Sequence, residues 1–113
     1  MSAPVHLNRK IVLEAPVRVL DGAGGHSESW QALGTIWASI KAGTGREAAG
    51  EFVTVSTVPY RIVVRASPEG SPSRPKPDQR FKDGNRVFRI LAVSEYDPAA
   101  RYLTCHAREE VLT

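Results

Sequence analysis

From Tyr60 to Ala66 the side chains alternate, with Tyr60, Ile62, Val64 and Ala66 on one face and Arg61, Val63 and Arg65 on the other. A period of two is that of a strand, and no helix keeps such a pattern in place. Similar β-branched stretches recur at Arg9–Leu20, Ser29–Lys41, Arg86–Ser94 and Arg101–Arg108. Between them stand breakers of known turn chemistry: Asp21-Gly22-Ala23-Gly24-Gly25, Asp83-Gly84-Asn85 and Asp97-Pro98. Strands of this length joined by such turns predict an all-β domain, a small antiparallel β-barrel of five to six strands with long loops and at most one short helix. The candidate helix is Arg46–Phe52, which competes with an extended reading of Glu51–Val58.

Three strands carry an internal signal. Pro16 cannot donate a ladder hydrogen bond, which points to an edge or a bulge within Arg9–Leu20. In Ser29–Lys41 a continuous strand puts Trp30, Ala32, Gly34, Ile36, Ala38 and Ile40 on one face and Trp37 on the other. Either a bulge at Gly34 or a second buried surface reconciles the two rings. Arg86–Ser94 is likewise apolar on both faces, and a single small domain has little with which to cover two faces. Neighbouring subunits could do so. Ser67–Gln79 holds four of the eight prolines and almost nothing apolar, and reads as a mobile polyproline loop.

At 113 residues the chain has room for one domain, residues 1–113, with an N-terminal arm over 1–8. No apolar run reaches the roughly 20 residues of a membrane-spanning helix, so no membrane partner is expected. One cysteine, Cys105, excludes an intramolecular disulfide and a cysteine-rich zinc site. Cys105 falls on the inward face of its strand, as a small hydrophobe would, and His106 falls outward. The three histidines show no ligand spacing, and no metal or cofactor is expected.

The search for catalytic chemistry ends empty. Gly22-Ala23-Gly24-Gly25 precedes no helix whose N-terminus could bind phosphate. His26-Ser27-Glu28 sets three catalytic residue types side by side, but neighbours on a strand point apart. No catalytic residue is assigned, and an enzyme is the least supported class. What remains is charge. The net charge is +3 overall, yet Arg61–Arg89 carries eight Lys/Arg against three acids, a local +5. Arg61 and Arg65 with Arg86 and Arg89 on a later strand form a candidate row for an acidic subunit surface or for the phosphates of DNA, with a plain solvated face as the alternative.

The ordered residues Asp21-Gly22-x-Gly24-Gly25, Trp30, Trp37-Ala38-x-Ile40, Gly45-Arg46-Glu47 and Tyr60-Arg61-Ile62-Val63-Val64-Arg65 continue into Arg80-Phe81 and Gly84-Asn85-Arg86-Val87-Phe88-Arg89-Ile90-Leu91-Ala92-Val93, and close on Arg101-Tyr102-Leu103-Thr104-Cys105 and Glu109. From about Arg9 to Glu110 this resembles the phage head–tail joining family, the head-closure or stopper proteins of long-tailed phages and gene transfer agents. The resemblance implies a particle-neck protein assembled in the bacterial cytoplasm. It implies a homo-oligomeric ring, hexamer or dodecamer, between a portal-adaptor protein and a tail terminator or tail tube protein. Such a ring closes the filled head, retains DNA, allows non-specific contact with it, and offers the tail a docking surface. The Pro-rich segment is longer here than is common in that family, which leaves Ala42–Glu51 and Ser67–Gln79 as rival gating loops. Arg46, Glu47, Arg61, Arg65, Arg86 and Arg89 are the candidate subunit or channel contacts. The competing readings are another neck component, such as a tail terminator, and a free OB-like barrel that binds nucleic acid. The latter needs exposed aromatic rings beside the basic row.

Overall fold

In the computed structural model, which describes residues 5–20, 22–43 and 58–110, six strands close into an antiparallel barrel. They are β1 (Arg9–Leu20), β2 (His26–Ala42), β3 (Pro59–Arg65), β4 (Arg80–Asp83), β5 (Arg86–Glu95) and β6 (Tyr102–Glu110). Around the barrel the order is β1-β2-β3-β6-β5-β4, and β4 returns to β1. The expected all-β barrel is borne out, and no helix occurs among the described residues. The segment offered as a short helix, Arg46–Phe52, lies outside them.

Alternation fills the inside. Ile11 and Leu13 of β1, Ala38 of β2, Ile62 and Val64 of β3, Phe81 of β4, Phe88 and Ile90 of β5, and Leu103, Cys105 and Ala107 of β6 form one buried cluster. Burial raises the Cys105 thiol to about 12, with the Arg74 charge opposing only part of that rise. The shortest ladder of the barrel is the seam between β1 and β4, only three residue pairs long. Leu13 and Phe81 meet there with no exposed surface. Outside it, the Arg80 guanidinium donates to the Glu14 carboxylate at 2.7 Å, and Arg9 pairs with Asp83.

Two bulges settle the question of the doubly apolar strands. In β2 the pairing steps from Leu13↔Gly34 to Glu14↔Ala32, leaving Leu33 as the extra residue. Leu33 packs against the core, and every residue before it changes face. Trp30 is therefore on the outside, not in the core where a continuous strand would put it. In β5 the register shifts between Ile90 and Ala92, so Ile90 and Val93 both turn inward, while Leu91 is left 55% exposed. A second covered face is thus not what most of these apolar residues require.

Beyond the seam β1 and β2 continue as a two-stranded ribbon, with pairs from Ala15↔Gln31 out to Leu20↔His26. Pro16 stands within it, where β1 has lost its β4 neighbour, as the edge reading anticipated. Gly22 and Gly24 turn the tip at φ of 81° and 85°; Asp21 lies outside the described residues. The segment expected as a mobile polyproline loop folds back on the barrel. Pro75 is buried, Arg74 donates to the Ser67 carbonyl at 2.8 Å, and the Asp78 amide donates to Ile90 at 3.0 Å.

Candidate contact surfaces

Since the inside of the barrel is filled by side chains, the candidate surfaces among the described residues are its outer wall, its ends and its ribbon. The four arginines singled out by sequence do not form one row. Arg61 and Arg65 point outward from β3, opposite buried Ile62 and Val64. Arg86 shares the inward face of β5 with Phe88 and Ile90 and caps one end of the barrel. Its guanidinium lies 4.9 Å from the Phe88 ring and 5.6 Å from that of Tyr60. It donates to both oxygens of Glu109, at 2.9 and 3.1 Å, and to the Tyr60 hydroxyl at 3.1 Å. The hydrogen bond from Arg86 holds the Glu109 carboxyl below its ordinary range, against the opposing effect of burial. The same bond raises Arg86, again against burial. Glu109, near the C-terminal end of β6, is thereby tied into this cap. Arg46 and Glu47 lie outside the described residues.

Arg89 belongs to a different group, one that sequence spacing does not reveal. Arg80, Arg89 and Arg108 are directly paired across β4, β5 and β6 on the outer wall. Trp30, turned outward by the β2 bulge, sits under two of them, with the Arg80 guanidinium 4.1 Å and that of Arg89 5.3 Å from its ring. A guanidinium over an indole face is attractive by roughly 0.5–2 kcal/mol. This stack joins the base of the ribbon to the barrel wall. It also takes up ring surface of Trp30 that a stacked base would need. Trp37, opposite Lys10, is 53% exposed.

At the far end of the barrel Asp97 organises the β5–β6 turn. Partial burial pushes its carboxyl up, but hydrogen bonds from the Arg101 side chain and from the backbone of Arg101 and Tyr102 outweigh that and leave it low. The ribbon tip carries two exposed aliphatic residues side by side, Leu20 at 73% and Val19 at 46%. Ser27 and Glu28 lie on the same ribbon, exposed. No cluster of three metal-ligating side chains occurs among the described residues.

Comparison with known proteins identifies the kind of protein that carries this wall, cap and ribbon. The model of the phage head completion protein family matches residues 3–110. The chain belongs to the phage head completion protein family. This family is structural, not enzymatic, and its members are parts of the virion, in keeping with the resemblance drawn from the sequence. The chain is also similar to a chain from the virion of a native gene transfer agent particle, 59% identical, with 96% of this chain and 98% of that one covered and a TM-score of 0.79. A Shigella flexneri 2a protein solved in solution is 24% identical over 95% of this chain and 96% of its own, with a TM-score of 0.66, and shares the fold. No curated protein matches.

Proposed function

We propose that this head completion protein forms a ring between the portal-adaptor and the tail, closing the DNA-filled head and giving the tail its docking surface. The observation that carries this reading is the 59% identity, over nearly the full length of both chains, to a component of an intact gene transfer agent particle. The geometry supports it in a specific way. The closed barrel is a rigid spacer with a filled interior, so a channel can run only between subunits and not through one. The ribbon, held by the Trp30–Arg80–Arg89 stack, reaches past the barrel and ends in exposed Val19 and Leu20. We assign that tip to the neighbouring copy in the ring, since a ring needs an element of one subunit to reach a different surface of the next. Arg61 and Arg65 then face another ring or the channel, and Arg86 acts within the subunit as a cap. Of the two candidate gating loops, Ser67–Gln79 is bound to its own barrel, which favours Ala42–Glu51 for that role.

Particles from a strain lacking the gene test the assignment. Filled heads without tails that lose their DNA are expected. Tailed particles in normal number, with DNA retained, would overturn it.

A further inference from the structure

A groove of about 630 Å³ lies against the outer wall beneath residues 5–8. Its wall is built by register. Lys41 of β2 pairs with Arg61 of β3, and Arg61 pairs with His106 of β6, so three basic side chains stand side by side across three strands. Two residues along the same strands, Ser39, Val63 and Thr104 form the next row, which Ser94 of β5 extends, with Thr104 nearly buried at its floor. His6 and Asn8 close the groove from the N-terminal side, and no acidic residue lines it among the described residues.

We propose that this groove binds an extended acidic peptide segment. This goes beyond the assembly role and stands without it. From Lys41 to His106 is two strand spacings, about 10 Å, while carboxylates at alternate positions of an extended chain recur about every 7 Å. A pair of that spacing falls about 3 Å short of the full row, a difference that the flexible Lys41 stem closes. The hydroxyl row and Asn8 supply what a peptide main chain requires, because hydroxyls and carboxamides both donate and accept hydrogen bonds. A phosphodiester backbone offers acceptors only and leaves half of that capacity unused. Nucleic acid also requires open rings for its bases. Here the groove's ring is Tyr96, which is 38% exposed and packed edge-on against Tyr102.

The test is a titration of the full chain with fluorescein-labelled octaglutamate, followed by anisotropy and by amide chemical shifts, beside octalysine and the oligonucleotide dT8. Octaglutamate is expected to shift Ser39, Lys41, Arg61 and Thr104, and to weaken several-fold between 50 and 300 mM salt, as roughly a halving of the screening length demands. Lys41→Glu and His106→Glu should each weaken it about tenfold, equivalent to about 1.4 kcal/mol. Lys41→Gln should weaken it less, and Arg18→Glu on the ribbon should leave it unchanged. Circular dichroism melts confirm that each variant is folded. Shifts confined to other surfaces, unchanged affinity in folded Lys41→Glu, or tighter binding of dT8 than of octaglutamate would overturn the proposal.

Discussion

The barrel and the ribbon are made from the same two strands, yet they obey different rules. At the seam, Val12–Glu14, β1 lies between β2 and β4, and its inward residues Ile11 and Leu13 have essentially no exposed surface. Past Glu14 it has a neighbour on one side only, and exposure rises until Leu20 is 73% open. A two-stranded ribbon is marginal in water by itself. This one is held at its base by Trp30 under Arg80 and Arg89, and its apolar tip, Val19 and Leu20, stands exposed. The difference separates what folds the subunit from what the subunit offers to others.

That contrast fails if the barrel residues prove dispensable, and Phe88 is the strongest place to try. Phe88 is fully buried, pairs with Phe81, and meets Tyr60 edge-on at 5.0 Å. Phe88→Ala should cost about 3–5 kcal/mol in urea unfolding, enough to leave a small domain largely unfolded. The joint between the regions comes next. Arg80→Ala removes the Glu14 bond at the seam and one face of the Trp30 stack. A loss of about 1–3 kcal/mol is expected, with Trp30 emission moving to longer wavelength.

The Arg86–Glu109 cap adds a pH signature to the barrel end. The Glu109 carboxyl is lowered in the folded state, so its contribution is fully present above the unfolded carboxylate range. It is lost as pH falls through the lowered folded value. Glu109→Gln should therefore lower stability at neutral pH and remove that part of the acid-side slope, as melts from pH 7 down to pH 3 would measure. Smallest of all is the ribbon tip: Leu20→Ser should change subunit stability by no more than about 0.5 kcal/mol. A loss comparable to that of Phe88→Ala would break the comparison. Thiol chemistry sharpens it from the other side. Cys105, raised to about 12 inside the barrel, should resist alkylation at pH 8 in the native chain and react once the chain is unfolded.

Much of this division was legible in the sequence. The alternation of Tyr60–Ala66, the turns at Asp83-Gly84-Asn85 and Asp97-Pro98, and the inward Cys105 all follow from local chemistry. The sequence also permits a bulge near Gly34, and the extra residue is its neighbour Leu33. What eluded sequence reasoning depends on register. One inserted residue moves Trp30 from inside to outside, and another lets Ile90 and Val93 share the interior. Periodicity cannot show either without knowing the partner strand. For the same reason Arg80, Arg89 and Arg108, well separated in the chain, form a cross-strand row that no spacing announces, while Arg61 and Arg86 do not share one. β4 is four residues long, with Phe81 as its only large apolar side chain, and so is nearly silent as a pattern. The Pro-rich loop looks free because its composition is polar, yet Pro75 is buried and Arg74 is bonded.

The most direct test of the account is to shorten the ribbon and count particles. Replacing residues 18–28 with a two-residue Asn-Gly turn leaves the seam, the core and the cap intact. The account predicts a folded subunit that melts within a few degrees of the wild type, about what a change of 0.5 kcal/mol permits, together with loss of tailed, DNA-retaining particles. Wild-type particle numbers from that folded variant would contradict it.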